Sequence, residues 1–516
     1  MIQVKNLTIT HRKDLRVILQ DFSMVLNQGD KAALIGEEGD GKSTLLKLLY
    51  QEDLVEDYVE YQGEIIRNHA KIGYLAQELS LEEKKKSIYE FFAEQENFFY
   101  HSPKEIARLE KQFFLLDGMF YSNQKMGQLS GGERVKVQLA RILIDQPDVL
   151  FLDEPSNDID LETLKWLEHF ICNNSLPILF ISHDEVLLEH TANKIIHLEQ
   201  IQRKTKPRWT VVSTGYREYM ENRTKGMLHQ EKVARNERMA YKKQQEKFLQ
   251  IQQKVAYQQA SISRQDPYGA QLLKKKMHTI KAQEKRMEKQ YQELTQIPET
   301  EDAIFIRFGE QAVIPHGKRV LEFYREALYA KERILAKEVR LTVIGPERIG
   351  IIGKNGIGKT TLLREIWKEC KDRKDIRVFY MPQNYEELLD EKQTPVEFLA
   401  ESGKKEEIGR VRTYLGSMKY TADEMSHPVR ELSGGQKAKL LLLKMSMAGS
   451  DVLLLDEPTR NFSPLSNPVI RKLLQNFRGT ILSVSHDRKY IQEVCTVVYQ
   501  LTESGLKRCT ELEGEV

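Results

Sequence analysis

The sequence has few cysteines, no long apolar segment and almost no net charge. Its four cysteines, Cys172, Cys370, Cys495 and Cys509, show no C-x-x-C spacing, which favours reduced, packed thiols over a disulfide framework or a zinc site. No apolar run approaches the ~18–20 residues that cross a bilayer, and the start, Met1–Lys5, is not a signal peptide. We therefore expect a cytoplasmic protein that does not itself form a membrane pore.

The small net charge hides an uneven distribution. The 516 residues carry a formal net charge of +2, yet residues 221–297 contain 17 Lys and Arg against 8 Asp and Glu. This segment is therefore at +9 and the remainder at −7. A basic segment between two slightly acidic bodies indicates a local contact with a polyanion. The chain is also too long for one hydrophobic core, so we expect two or three domains.

One phosphate-binding pattern, G-x-x-x-x-G-K-[ST], occurs twice. A glycine-rich turn closes tightly around an anion and points its backbone N–H groups at the phosphates. The lysine of the pattern reaches the β and γ phosphates, and the Ser/Thr hydroxyl ligates Mg²⁺. Two such loops predict two ATP sites. The predicted binding residues are Gly36, Glu37, Glu38, Gly39, Asp40, Gly41, Lys42, Ser43 and Thr44 in the first loop, and Gly353, Lys354, Asn355, Gly356, Ile357, Gly358, Lys359, Thr360 and Thr361 in the second.

The same companions follow each loop in the same order, which identifies an internal duplication. A lone glutamine comes first, Gln77 and then Gln383, and its neutral amide is suited to bind Mg²⁺ or the attacking water. The segment L-S-G-G comes next, at 129–132 and 432–435. Its serine and glycines begin a helix and form a second anion site, which is best used on the nucleotide of the other body. The predicted residues are Ser130, Gly131, Gly132, Ser433, Gly434 and Gly435.

Two acidic residues then end an apolar strand in each half. In Asp153-Glu154 and Asp456-Glu457 the aspartate supports Mg²⁺, and the glutamate polarises a water aimed at the γ-phosphate. A histidine in S-H-D follows at matched positions and senses the γ-phosphate. The predicted catalytic residues are Glu154, Glu457, His183 and His486, and the predicted Mg²⁺ ligands are Ser43, Gln77, Asp153, Thr360, Gln383 and Asp456.

Short apolar runs alternate with helical stretches in both halves, which predicts an α/β fold with buried parallel strands in each. We expect three domains: an ATP-binding body at 1–215, a helical linker at 216–300 and a second body at 301–516. In the linker, apolar residues recur with heptad spacing, on either side of a turn-forming segment at 263–269. The seam residues are Ala234, Tyr241, Phe248, Val255 and Ile262, then Leu273, Met277, Ile280, Met287, Tyr291 and Leu294.

This pattern predicts an antiparallel helical hairpin whose first helix, of ~40 residues, is ~60 Å long. The hairpin is either a rigid spacer between the bodies or a probe that enters a large partner. Its positive charge favours the probe and nucleic-acid phosphates as the contact.

The motif order resembles the ATP-binding cassette family over roughly 430 of the 516 residues. Two cassettes joined by a charged helical linker, without membrane segments, resemble the ABC-F class of ribosome-binding ATPases. The resemblance implies a linker hairpin that approaches the P-site tRNA and the peptidyl-transferase centre, with its tip near 257–271. It also implies a monomer with intramolecular cassette pairing, no membrane contact, and an aromatic residue that stacks on each adenine. His11 and Tyr329 stand near the right place.

The sequence departs from the family at the first phosphate loop and at the second D-loop. The first loop carries Glu37, Glu38 and Asp40, which cost binding energy beside a triphosphate unless their side chains point away. The D-loop of the first half, 156–160, ends in Asp160, whereas that of the second half, 459–463, ends in Ser463. We therefore expect the two sites to differ in affinity or turnover.

The spacing of the motifs indicates which branch of the family the sequence resembles. Lys42 and Gln77 are 35 residues apart and Lys359 and Gln383 are 24 apart, a difference too small for an inserted helical arm. The armless layout, with a long linker and 30 residues after His486, resembles the antibiotic-resistance branch, which protects the ribosome from drugs. Relief of stalled ribosomes without resistance remains an alternative, as does an ATPase that serves a separate membrane transporter. A DNA-associated ATPase with coiled coil inside one cassette fits less well, because each half here is complete.

Overall fold

The computed structural model describes residues 1–201, 206–261, 267–293, 295, 314–400 and 402–509. The chain forms two compact units, one made of Met1–Tyr216 with Glu301–Val516 and one made of Arg217–Thr300. The first unit contains two α/β bodies, called the first and second cassettes below, whose large sheets have the same strand order, so the predicted α/β duplication is confirmed.

The first cassette combines a parallel sheet with a smaller antiparallel sheet. The large sheet has the order β5-β6-β7-β3-β8-β9 and the small sheet has the order β2-β1-β4. The strands are β1 (Ile2–His11), β2 (Val17–Leu26), β3 (Lys31–Ile35), β4 (Val59–Ile66), β5 (Ile72–Leu75), β6 (Val149–Asp153), β7 (Ile178–Ile181), β8 (Lys194–Gln200) and β9 (Lys206–Val212). The helices are α1 (Lys42–Tyr50), α2 (Leu81–Lys85), α3 (Ile88–Ala93), α4 (Pro103–Gln112), α5 (Gly131–Ile144), α6 (Leu161–Asn173) and α7 (Glu185–Thr191).

The second cassette repeats this design with a two-stranded antiparallel sheet, β10-β11, and a large sheet in the order β13-β14-β15-β12-β16-β17. The strands are β10 (Arg319–Ala330), β11 (Arg333–Ile344), β12 (Arg348–Ile352), β13 (Val378–Met381), β14 (Val452–Asp456), β15 (Thr480–Val484), β16 (Val497–Thr502) and β17 (Gly505–Arg508). The helices are α10 (Lys359–Cys370), α11 (Pro395–Leu399), α12 (Lys405–Ser417), α13 (Gly434–Met447), α14 (Asn467–Gln475) and α15 (Arg488–Val494).

The central strands are buried on both faces, as expected of parallel strands covered by helices. Every residue of β3, β6, β7, β14 and β15 is buried. The strands β3 and β12 lead directly into the two phosphate loops, and the carboxyl ends of β6 and β14 carry the acidic pairs. Because neighbouring parallel strands end at the same sheet edge, this topology gathers the predicted site residues of each cassette.

The second unit contains two long helices, α8 (Tyr216–Ser261) and α9 (Pro267–Glu293). Phe248, Val255, Ile280 and Met287 form a buried apolar cluster, with Tyr241 and Met277 packed against it. The rings of Tyr241 and Tyr291 lie 5.2 Å apart, and the N–H of Thr295 donates to Glu237. Glu237 precedes Tyr241 on α8, whereas its partner Thr295 follows Tyr291, the partner of Tyr241. The two helices are therefore antiparallel.

Most of the predicted seam residues whose side chains are described lie in or against this cluster, but Tyr291 is 61% exposed, and the turn prediction also needs a correction. Ala234 is also buried, whereas Ile262 and Leu294 lie outside the described residues, as does the side chain of Leu273. Pro267-Tyr268-Gly269, predicted as part of the turn, begins α9. Proline suits the first helical position because its missing N–H would have no intrahelical partner there. None of the described helices is both long and apolar enough to cross a membrane.

Candidate nucleotide-binding and active sites

The third glycine of each phosphate loop has a structural requirement that only glycine meets. Gly41 and Gly358 have φ values of 88° and 106° and precede α1 and α10 in the left-handed conformation. A Cβ atom at Gly41 would lie 2.2 Å from Ile18, and one at Gly358 would lie 2.7 Å from Leu335. Both loops therefore need glycine for backbone conformation and for close packing.

Each loop lysine lies over its own loop. The Nζ of Lys42 donates to the carbonyl oxygens of Gly36 and Glu37 at 2.9 and 2.8 Å. The Nζ of Lys359 makes the matching bonds to Gly353 and Lys354 at 2.8 and 3.0 Å. Both ammonium groups are thus held at the turn that is predicted to enclose the phosphates.

The glutamate after each buried aspartate has an uncommon backbone conformation. Glu154 and Glu457 have φ values of 51° and 53°, in the left-handed region that glycine favours. Each is held there by a hydrogen bond from its N–H, to Ile181 at 3.1 Å and to Val484 at 2.9 Å. Strain of this kind at matched positions in two cassettes indicates that the direction of the carboxylate matters for function.

In the first site the glutamate is engaged by polar partners. The Nε2 of His183 lies 3.0 Å from Glu154, and the amide of Gln77 donates to Glu154 at 2.8 Å. Burial opposes ionisation of Glu154, but His183, Asn157 and Lys42 together outweigh it and lower the pKa of Glu154 to about 2. The pKa of His183 is lowered by burial but raised more by Glu154, so that it is raised overall. The two side chains therefore favour an ion pair.

In the second site the matching residues have the opposite tendency. Burial and the neighbouring Asp456 raise the pKa of Glu457 to about 8. Burial and Lys359 lower the pKa of His486 to about 3. The imidazole Nε2 lies 3.8 Å from the Glu457 carboxylate, beyond hydrogen-bonding distance. The pKa values of the same residue types are therefore shifted in opposite directions in the two sites.

The aspartates fit a Mg²⁺ ion that arrives with the nucleotide. Asp153 accepts a hydrogen bond from the Ser43 hydroxyl at 3.0 Å, and burial and Glu154 raise the pKa of Asp153 to about 6. Both carboxylate oxygens of Asp456 are buried, and the hydroxyl of Thr360 lies beside this carboxylate as Ser43 lies beside Asp153. Buried carboxylate oxygens of this kind are suited to a hard cation. Bound there, Mg²⁺ would neutralise charge on the phosphates.

A cavity of about 930 Å³ joins the second phosphate loop to the first cassette. Lys359, Thr360, Gln383, Asp456, Glu457 and His486 line one side, and Ser130, Gly131 and Glu133 line the other. The volume lies at the upper end of that of ligand pockets, roughly 300–1,000 Å³. A ligand in this cavity contacts the loop of one cassette and the L-S-G-G segment of the other. The predicted Gly132 packs against Thr163 of α6 and is not among the lining residues.

The L-S-G-G serines cap their helices as predicted. Ser130 accepts from the N–H of Glu133 and Ser433 accepts from the N–H of Gln436, each at 3.3 Å. The second L-S-G-G segment faces the first phosphate loop, because a Cβ atom at Gly435 would lie 2.5 Å from the side chain of Glu38. Both loops therefore face the opposite cassette.

The D-loops also cross between cassettes. The Nδ1 of His183 lies 2.8 Å from the carbonyl oxygen of Phe462 in the second D-loop. The amide of Asn355 donates to the carbonyl oxygen of Asp158 in the first D-loop at 2.6 Å, and Arg460 pairs with Asp158 at 2.7 Å. His183, which is predicted to sense the γ-phosphate in one cassette, is thus tied to the backbone of the other.

The two residues predicted to stack on adenine have different surroundings. His11 pairs with Asp14 at 2.8 Å. Tyr329 is 56% exposed and is not among the residues that line the cavity at the second phosphate loop, whereas Ala330 and Arg333 are. The β10–β11 register shifts between Leu328 and Tyr329, which interrupts the regular side-chain alternation of the hairpin there.

Arg333 was missed by the sequence reasoning, and replacing it tests its role. A guanidinium group beside a nucleotide either stacks on the base or pairs with a phosphate. We expect Arg333→Ala to weaken ATP-analogue binding about tenfold, or about 1.4 kcal/mol, in a fluorescence titration. Arg333→Lys keeps the charge and separates the two modes. The control is Arg340→Ala on the same strand, an exposed position outside the cavity lining. Unchanged affinity in Arg333→Ala would exclude a ligand contact.

The comparisons with known proteins place these sites in a family. The ABC transporter family profile matches residues 19–157 and 336–460. The sequence is 28% identical to the ribosome protection protein VmlR of Bacillus subtilis, over 96% of this chain and 85% of that protein. It is 26% identical to ABC transporter F family member 5 of Arabidopsis thaliana, over 95% and 73%. It is 28% identical to the energy-dependent translational throttle protein EttA of Haemophilus influenzae, over 97% and 91%.

A solved structure supports the fold. The archaeal ribosome recycling factor aABCE1, in its complex with the ribosomal stalk protein aP1, superposes with a TM-score of 0.58 over 96% of this chain and 87% of that chain, at 17% identity. The paired cassettes with their opposed loops and capped helices define a twin-cassette ATPase. The chain belongs to the ATP-binding cassette (ABC transporter) family, and its relatives place it in the ABC-F class.

Proposed function

We propose that this ATPase binds the ribosome and protects it from antibiotics that act at the peptidyl-transferase centre. ATP closes the two cassettes, the linker 216–300 extends toward the P-site tRNA and the surrounding rRNA, and hydrolysis releases the protein. It acts as a cytoplasmic monomer whose two cassettes pair within one chain. The observation that carries this proposal is the basic pair of long antiparallel helices in a chain that also contains two opposed ATP sites.

The linker has the surface that such a contact requires. Its apolar seam is buried between the helices, whereas Lys242, Lys243, Lys247, Lys274, Lys275 and Lys276 are exposed. Exposed lysines release counterions when they approach phosphates, which makes binding to RNA favourable and salt-dependent. The 46 residues of α8 extend about 69 Å at ~1.5 Å per residue. This length supports a probe that reaches deep into a large particle.

The cassette geometry supports coupling to ATP. A ligand that contacts both cassettes stabilises the closed arrangement only by the difference between its affinities for the closed and open forms. The cavity at the second phosphate loop is lined by residues of both cassettes, so part of the binding energy of a nucleotide there depends on the opposite cassette. Mg²⁺ would be held by Ser43, Gln77 and Asp153 in the first site and by Thr360, Gln383 and Asp456 in the second.

A second candidate function is translational control without resistance. The similarity to EttA covers 91% of that protein at the same 28% identity as the similarity to VmlR. Both candidates require ribosome binding, and they differ in whether the protein changes the sensitivity of a cell to drugs.

Expression in a susceptible bacterium separates the two candidates. We expect the full chain to raise the inhibitory concentrations of peptidyl-transferase drugs at least about fourfold, and a copy that lacks residues 261–269 to raise none of them. Cosedimentation with ribosomes in the presence of ATP serves as the control for both proteins. Ribosome binding by the full chain without any change in inhibitory concentration would favour translational control. The absence of ribosome binding would reject both.

A further inference from the structure

The first phosphate loop presents a carboxylate to the opposite cassette. Glu38 lies against Gly435, so closely that a Cβ atom there would be 2.5 Å from its Cγ and Cδ. Its Oε2 lies 3.8 Å from the Nζ of Lys439, on the helix that the L-S-G-G segment begins. Glu38 also contributes to raising the pKa of His183, the predicted γ-phosphate sensor. The carboxylate therefore lies between the loop, the sensor and the capped helix.

Glu38 is largely buried, but only one of its two carboxylate oxygens lies near a cation of the described residues. Its side chain is 13% exposed, and its Oε1 is buried with no hydrogen-bond partner among the described residues. The matching residue of the second loop, Asn355, instead donates to the carbonyl oxygen of Asp158. The same loop position thus binds a backbone carbonyl in one site and places a negative charge in the other.

The neighbouring charges extend this difference. Glu37 pairs with Lys419 at 2.7 Å and lies 3.7 Å from Lys439, whose side chain is only 8% exposed. Asp40 is buried in the same loop, and burial raises its pKa to about 7. The two lysines of the second cassette therefore face carboxylates of the first loop, where a nucleotide would present its terminal phosphate.

We propose that the Glu38 carboxylate takes the place of the γ-phosphate in the first site, so that this site binds a nucleoside diphosphate in preference to a triphosphate. The second site, with Lys354, Asn355 and Ile357 in its loop, binds the triphosphate. A diphosphate leaves Glu38 against Lys439 and Gly435, whereas a triphosphate adds its terminal charge beside two or three carboxylates or displaces them. This inference rests on the proposed ATP-driven pairing of the cassettes.

Calorimetric titration of the full chain with MgADP and MgATP tests this preference. Lys359→Ala weakens the second site, and on this background we expect ADP to bind at least about tenfold more tightly than ATP. Adding Glu38→Gln, which removes the charge and keeps the shape, is expected to bring the two affinities within about threefold. Glu60→Gln, an exposed position of the same cassette, is the charge-matched control and should leave the preference unchanged.

Titration of Lys42→Ala and ribosome cosedimentation of the wild-type chain distinguish failure of this inference from failure of the proposed function. In Lys42→Ala, which weakens the first site, the component that prefers ADP should disappear, and this holds even if Lys359→Ala does not fold. Equal or tighter binding of ATP at the first site would overturn the inference. Ribosome cosedimentation of the wild-type chain with ATP is measured separately. If the protein binds the ribosome but its first site shows no preference for ADP, only this inference is rejected. If the protein does not bind the ribosome, the proposed function is rejected.

Discussion

Replacing both Glu154 and Glu457 with glutamine is expected to preserve ATP binding, slow hydrolysis at least ~100-fold and increase the fraction of protein that cosediments with ribosomes. General-base catalysis contributes about 10²–10⁴-fold to rates, and an amide cannot accept the proton. The substitution keeps the side-chain shape, so the cassettes can still close around ATP. Phosphate release and sedimentation through a sucrose cushion, each with and without ATP, measure the two effects.

A double variant at two exposed glutamates serves as the charge-matched control. Glu60 and Glu391 are exposed glutamates, one in each cassette, and changing both to glutamine makes the same change in total charge. This pair should hydrolyse ATP and cosediment like the wild type. Cosedimentation of the Glu154/Glu457 variant no greater than that of the wild type would contradict the clamp, even if hydrolysis is lost.

The features predicted from the sequence are those that depend on local motifs and on the order of these motifs along the chain. The loops, the serine caps of α5 and α13, the aspartates at the ends of β6 and β14 and the helical seam residues Phe248 and Ile280 lie as expected. These features follow from short-range rules: glycine turns, N-capping and heptad spacing. The order of motifs also predicts that the cassettes face each other. Each half contains both a phosphate loop and an L-S-G-G anion site, and the second of these is best used on the nucleotide of the other half.

The parts that the sequence did not predict depend on distant partners. Glu37 and Lys419 are 382 residues apart, and their pairing is decided by how the two cassettes pack. Lys439, the second lysine after L-S-G-G, is buried and therefore requires a counter-ion, which the acidic loop of the other cassette supplies. Likewise, Arg333 rather than Tyr329 lines the cavity, in a hairpin whose register shifts between Leu328 and Tyr329.

A second set of contacts between the cassettes does not involve the phosphate loops. The first cassette provides acids and the second provides bases. Arg471 pairs with Glu185 at 2.5 Å, Arg488 pairs with Asp184 at 3.1 Å, and Lys489 lies 3.2 Å from Glu185. Arg471 and Glu185 are only 3% and 6% exposed. Since one cassette carries only one sign in these pairs, the contacts favour first-with-second pairing over pairing of two identical cassettes.

Removing Arg471 is expected to be strongly destabilising. Arg471→Met leaves Glu185 and Glu493 without this partner, and breaking a buried ion pair from one side costs about 3–5 kcal/mol. Lys368→Met removes an exposed pair with Glu365, where about 0–1 kcal/mol is expected. Denaturant unfolding of both variants, without nucleotide, compares the two losses. Similar small losses would show that the buried pair does not hold the cassettes together. A large loss for Arg471→Met alone would show that the cassettes are joined before ATP binds, so that ATP changes the closure of an existing pair.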